Sequence, residues 1–440
     1  MSKVSLKDIN RIAIPAIIAG IAEPLISLTD LAIIGNVDKD PVEALAAVGL
    51  VGSFLSAIIW ILAQTKTAIS ALVSQHLGAK RLHAVKTLVP QTIALNFILS
   101  LIIYAITAVL AEYIFKLYQA DGLILDYAKS YYRIRALGFP ITLVTFAIFG
   151  VFRGLQNTSW AMQCSLVGGF INVALTYILV YGIDGLFPGM HLTGAAIASL
   201  CAQMSMLLMA LYYFFKKTPF HLKLSFTLNP LLRPLILMSL NLFLRTLFLN
   251  IAIYVANAFA TGYGNNYIAA QSILMNIWLF FSFFIDGYAN AANAIGGKLF
   301  GERNFKSLWH LSIDISKYSI VIAFILILVC TILYEPIGLI FNKDSDVLDL
   351  FYQVFWVVLI MQPINALAFV FDGIFKGLGE AVYLRNVLMI ATFLGFLPTI
   401  FISDYFGLQL YAIWSAFFVW MLIRSLSLIF KFRIKYLSQV

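Results

Sequence analysis

Apolar stretches of about 20 to 30 residues follow one another along the whole chain, separated by short clusters of charge and of Gly, Pro, Asn and Asp. A helix needs about 20 apolar residues to cross a bilayer. The pattern predicts helices near 10–37, 44–75, 85–111, 123–151, 159–182 and 192–215, then near 230–262, 266–298, 307–334, 347–375, 382–402 and 408–432. The expected fold class is therefore an all-α polytopic membrane protein with twelve transmembrane helices. The first stretch is too long for the apolar region of a signal peptide and lacks a small-residue cleavage site, so it is read as a retained span.

Polar positions between the helices alternate in sign. One set of loops and ends carries Lys3, Lys7, Arg11, Lys80, Arg81, Lys86, Arg153, Lys216, Lys217, Lys223, Arg233, Lys298, Arg303, Lys306, Lys376, Arg385, Lys431, Arg433 and Lys435. The other carries Asp38, Asp40, Glu43, Glu112, Asp121, Asp126, Asp184, Glu335, Asp344, Asp346, Asp349 and Asp404. The positive-inside rule then places both termini in the cytoplasm, with a multi-pass location in the inner (cytoplasmic) membrane.

Sliding the chain along itself reveals a repeat. Pro140 to Leu155 reads PITLVTFAIFGVFRGL and Pro363 to Leu378 reads PINALAFVFDGIFKGL, an offset of 223 residues that also carries Leu45-Ala46-Ala47 onto Ile268-Ala269-Ala270, Ala71 onto Ala294 and Gly78 onto Gly301. Six helices separate equivalent positions, so the halves share one orientation and are related by a parallel pseudo-two-fold. Two six-helix lobes, 1–217 and 218–440, are expected, with sites at or near the repeat interface as in transporters.

Composition narrows the function. Hydrophobic residues are 62% and charged residues 11% of the 440, against about 45–50% and about 25% in soluble domains. Twelve spans consume nearly the whole length, leaving no soluble catalytic domain. The five histidines are scattered, mostly in loops, and no HExxH, GxSxG or P-loop motif occurs. An enzyme is not expected, nor are a cofactor or a metal. The net charge of +9 is dispersed through short loops rather than gathered on one face, so no nucleic-acid partner is implied. Cys164, Cys201 and Cys330 lie far apart in apolar sequence and read as small core residues.

Ionisable groups within spans carry the functional signal, since each costs at least about 2.5–3.5 kcal/mol near the bilayer centre unless paired or hydrated. On the first helix Glu23 and Asp30, seven residues apart with Ser27 between them, share a face that should avoid lipid. Pro24 should kink or loosen the helix below Asp30. The plain structural reading of Asp30 is a helix cap. The fifth helix offers Asn172 and Thr176, able to hydrogen-bond a carboxylate or to act as interhelical glue. The fourth ends in Arg153-Gly154-Leu155-Gln156-Asn157, and Lys66 on the second is the only base deep in the first half. In the second half Arg245, Asp286 and Asp372 stand in apolar sequence, with Asn290 and Asn293 beside Asp286. These five form a candidate charge group whose structural alternative is mutual pairing.

These motifs resemble the multidrug and toxic compound extrusion (MATE) transporters, in particular their DinF-like branch. EPLISLTDLAIIGNV resembles the branch's Pro-Leu-x-x-x-x-Asp-x-x-x-Ile-Gly pattern, with its Asp at Asp30. FRGLQNT is similar to the RGxQDT element, NLFLRTL carries the branch's Arg at Arg245, and IDGYANAANAIGGKLFGERN resembles DGFAxAAEAxxGxxxG. FDGIFKG adds to the likeness, and Lys66 stands where the branch usually has Arg.

The resemblance implies a bilobed antiporter that exports organic, often cationic, compounds in exchange for protons or sodium ions by alternating access. It also implies cation coupling at Asp30, with Asn172 where relatives have Asn and Thr176 where they have a second Asp. Asn293 falls where the branch commonly has Glu. Glu23, Ser27, Asn157 and Lys66 are the expected substrate-cavity residues. The proton is the favoured coupling ion, because one carboxylate with neutral neighbours is sufficient for a protonation switch; sodium is the alternative. A lipid-linked precursor flippase of the same superfamily is the other reading, and it calls for a cavity rich in Arg and Lys. The expected partners are a small organic substrate and the lipid bilayer, the expected working form a monomer.

Overall fold

Helices form wherever the apolar stretches run, because backbone groups in hydrocarbon must be satisfied within the segment. The computed structural model describes residues 4–37, 39–183, 185–225 and 227–436, without the side chains of 22–28. The first half contains α1 (Leu6–Ile34), α2 (Pro41–Leu62), α3 (Gln64–Gly78), α4 (Leu88–Leu117), α5 (Gly122–Arg135), α6 (Gly138–Gly154), α7 (Ser159–Tyr181) and α8 (His191–Lys217). A small hairpin, β1 (Gly182–Ile183) with β2 (Phe187–Pro188), joins α7 to α8. The second half contains α9 (Leu232–Tyr263), α10 (Asn265–Gly301), α11 (Phe305–Ile332), α12 (Tyr334–Phe341), α13 (Ser345–Ile360), α14 (Gln362–Gly377), α15 (Ala381–Ile390), α16 (Leu397–Tyr405) and α17 (Leu410–Tyr436). A π-helical turn, Ala391–Phe396, links α15 to α16.

Among the described residues nine helical segments are long and apolar enough to cross a membrane, and the bent pairs α5/α6 and α13/α14 raise the number to eleven. The helix α1, which carries Glu23 and Asp30, completes the twelve; its 29 residues span roughly 44 Å. It runs as one helix through Pro24, whose side chain, like those of Glu23 and Ser27, lies outside the described residues.

The bends follow the repeat. The α5/α6 pair turns by 47° and the α13/α14 pair by 49°, and each break lies just before a repeat-related proline, Pro140 or Pro363. A proline ring clashes with the carbonyl four residues back, here Ala136 and Leu359, and removes one helical hydrogen bond.

The chain gathers into two compact units. One comprises 18–73 and 81–236, the other 1–17, 74–80 and 237–440. In the first, α7 packs along α8 and α2 along α5, with Phe54, Phe115 and Tyr132 in mutual contact at ring separations of 5.3–6.0 Å. In the second, α14 packs against α10, α11 and α17 around Trp278, Phe351, Phe355, Trp414, Phe417 and Trp420. The start of α1 belongs to this unit, where Tyr288 donates to the Asn10 side chain at 3.0 Å.

Two pairs of repeat-related glycines set the helix crossings. A Cβ on Gly78 would collide with the Lys298 carbonyl, and one on Gly301 with the Gln75 carbonyl; these contacts interchange under the 223-residue offset. Likewise Gly150 lies on the Lys66 carbonyl and Gly373 on that of Ala289. Helices in membranes approach this closely only through small residues. Gly78→Ala is therefore expected to lose about 1–3 kcal/mol through overpacking, whereas Gly49→Ala, with open space around its Cβ position, should be neutral or slightly stabilising. Thermal unfolding of the detergent-solubilised protein compares them, and equal melting temperatures would refute the crossing contact.

Candidate cation-coupling site and second-half charge group

Asp30 sits four residues from the end of α1 and is buried, only 8% exposed. It is no helix cap; its carboxylate turns onto α7, where the Thr176 hydroxyl donates to Oδ1 at 3.0 Å. One turn earlier on the same face of α7, Asn172 donates its Nδ2 to the Ser199 hydroxyl of α8 at 3.2 Å. Asn172 and Ser199 both lie within reach of the Asp30 carboxylate. Asn172 is buried and its Oδ1 has no protein partner among the described residues. The end of α5 brings two more groups: Tyr131, buried, and Arg135, whose charge acts on Asp30 and whose Nε makes no hydrogen bond among the described residues. The guanidinium lies 6.0 Å from the Tyr131 ring centre. One carboxylate, two hydroxyls, an amide oxygen and a nearby guanidinium thus meet in one buried place.

The other first-half candidates go elsewhere. Asn157 accepts from the Ser159 and Trp160 amides at 3.0 and 3.3 Å and so caps the start of α7, roughly 25 Å along that helix from Thr176 at 1.5 Å per residue. Lys66 holds its ammonium 4.8 Å from the centre of the Phe146 ring and 5.8 Å from that of Phe149. Glu23 and Ser27 fall outside the described side chains. Lys66 is not the only deep base. Arg153, counted among the loop charges, is 7% exposed and donates to the Ser70 hydroxyl at 3.0 Å and the Thr67 hydroxyl at 3.3 Å. The close crossing of α6 over α3 draws it in. Nor is every cysteine in the core, for Cys201 is exposed on α8.

In the second half Arg245 on α9 and Asp372 on α14 form an ion pair, with Nε and Nη2 at 2.9 and 2.6 Å from Oδ1. The other oxygen of Asp372 takes the Lys376 ammonium at 2.6 Å, one helical turn on. Arg424 of α17 approaches to 4.0 Å. Asp286, whose charge acts on Lys376, accepts from Asn290 at 3.0 Å; Asn293 is buried one turn further along α10. Lys376, expected in a cytoplasmic loop, is instead in the last turn of α14 with its side chain 19% exposed.

A family model, MatE, matches residues 15–178 and again 238–402, one copy in each half. The chain belongs to the MatE family. Its relatives include DNA damage-inducible protein F of Escherichia coli (strain K12), 25% identical over 429 residues that cover 96% of this chain and 91% of that protein. They also include the multidrug export protein MepA of Staphylococcus saprophyticus, 23% identical over 76% of this chain and 74% of the relative. The same fold is seen in a crystal structure of MATE in the bent conformation, with TM-score 0.90 and 21% identity over 98% of this chain and 96% of that one. MatE members are transporters rather than enzymes, and this chain is a multi-pass membrane protein of that kind.

Against the MatE repeat, the residues that sequence reasoning missed share a signature. Arg135 and Ser199 fall on Val358 and Leu422 under the 223-residue offset, and Arg424 falls on Cys201, just as the predicted Asp30 falls on Ile253. Polar groups present in only one half of a repeat mark where the halves have diverged. That signal was available and would have found all three partners.

Proposed function

We propose that this chain is a secondary active antiporter that exports organic compounds in exchange for a cation by alternating access, with Asp30 as the coupling carboxylate and the proton as the coupling ion. The carrying observation is the buried Thr176–Asp30 hydrogen bond, in a half whose repeat counterpart is Ile253. Asn172 and Thr176 complete the coupling site. Both are neutral, and a single carboxylate supports one exchangeable proton more readily than a sodium site, which gathers several oxygens under net negative charge. Energetically one proton suffices: about 100 mV contributes about 2.3 kcal/mol and one pH unit about 1.4 kcal/mol.

The test is a proteoliposome assay in which a pH or a sodium gradient is imposed separately and the efflux of a dye panel is followed. A response to the pH gradient at constant sodium is expected. A response to sodium alone, at fixed pH, would transfer the role to a sodium-coupled exporter.

Orientation belongs to the same proposal: a monomer in the cytoplasmic membrane, both termini inside, with the loops holding Lys80, Lys216, Arg303 and Arg385 facing the cytoplasm. Cysteines introduced beside Asp40 or Asp344 should react with an impermeant thiol reagent added outside, while one beside Lys80 should be protected. The reverse labelling would invert the topology.

A further inference from the structure

Charges in the second-half group do not balance. Arg245, Lys376 and Arg424 are three cations around one carboxylate in direct contact, Asp372. Asp286, whose charge acts on Lys376 and whose Oδ2 accepts from Asn290, is the second carboxylate of the group, and three cations against two carboxylates still leave one positive charge over. Asp372 is itself taken up: Oδ1 receives two nitrogens of Arg245 and Oδ2 receives Lys376. Arg424 is left over. It is 2% exposed, and its Nη2 lies 4.0 Å from the nearest Asp372 oxygen, too far for a hydrogen bond, with no other hydrogen-bond partner among the described residues. Its Nη1 donates to the Met421 sulfur at 3.0 Å, and its guanidinium lies 4.7 Å from the Trp420 ring centre, so the group is held in place rather than free to seek water. A buried guanidinium with an unused donor, in surplus positive charge, is unfavourable without a counter-anion.

We infer that the second half contains a binding site for an oxyanion, the carboxylate or phosphate of a transported molecule, received by Arg424 and Lys376. A guanidinium fork matches a planar or tetrahedral oxyanion through paired hydrogen bonds, and Lys376, the least buried of the three cations, adds an ammonium that Asp372 holds at the edge of the group. The arriving anion supplies the missing negative charge and the acceptor that Arg424 Nη2 lacks. Asp372 holds the cations together while the site is empty. The exported compounds therefore include molecules with an anionic group, whatever else they carry.

This inference rests on the exporter reading but is tested without transport. Carboxyfluorescein binding to the purified full chain in phosphatidylcholine nanodiscs, followed by fluorescence polarisation, is expected to be saturable. Arg424→Gln should weaken it roughly tenfold or more, as loss of a charged hydrogen-bond donor does, and Lys376→Gln should weaken it less. If Arg424→Gln fails to assemble, Lys376→Gln and competition on the unaltered protein decide. Displacement of the dye by benzoate identifies a free organic acid as the natural occupant; displacement on adding phosphatidylglycerol to the nanodisc lipid identifies a lipid headgroup. Either supports an oxyanion site. No saturable binding, or unchanged affinity in the assembled variants, would overturn it. Anion binding through Arg424 in a protein that moves no dye under any gradient would leave this site standing and remove the exporter reading instead.

Discussion

Asp30→Asn is expected to assemble at normal yield, to retain substrate binding, and to lose gradient-driven transport down to simple equilibration. The amide keeps the size of the carboxylate and can still accept the Thr176 hydroxyl, which donates at 3.0 Å in the unaltered protein, so packing is preserved. What disappears is the ability to carry a proton and to change charge as it leaves. One proton falling through about 100 mV and one pH unit supports an accumulation of a few hundred-fold, and that whole factor should vanish. Uptake into inverted vesicles, compared with equilibrium binding on the same preparation, separates the two properties. Unchanged uptake by Asp30→Asn would remove the coupling assignment.

Asp372→Asn should behave in the opposite way, losing protein rather than coupling. Asp372 is 3% exposed and faces Arg245, Lys376 and Arg424. Neutralising it leaves three cations without a carboxylate in contact, and removing one partner of a buried ion pair costs about 3–5 kcal/mol. Yield and melting temperature, read by size-exclusion of the solubilised protein, should fall well below those of Asp30→Asn. Any Asp372→Asn protein that does assemble should keep most of its intrinsic transport rate for compounds without an anionic group. Normal yield with transport absent would instead move the coupling site into the second half.

Much of this molecule was legible in its chain. Span positions, the 223-residue repeat and the turning of Asp30 away from lipid come from local properties: runs of apolar residues, loop charge, and the rarity of a carboxylate in hydrocarbon. Each can be read without knowing which helix lies beside which. Even the bends of α5/α6 and α13/α14 trace to Pro140 and Pro363, although sequence periodicity alone predicted single spans there. The charge of Lys376 misled for the same local reason: a lysine near a helix end resembles a loop residue until its partner is known.

Partnership is what the sequence did not contain. Thr176 meets Asp30 across 146 positions and Arg245 meets Asp372 across 127, and such meetings depend on how each helix is rotated about its axis. For α14, which carries Asp372, that rotation is set where Gly373 rests on the Ala289 carbonyl, and for α7, which carries Thr176, where Gly194 of α8 rests on the Leu179 carbonyl. A shift of one residue turns a helix by about 100°, enough to send Thr176 to lipid or Arg424 away from Asp372. The sequence by itself determined which residues are too polar for the bilayer and must find partners; only the tertiary structure decided which partners they find.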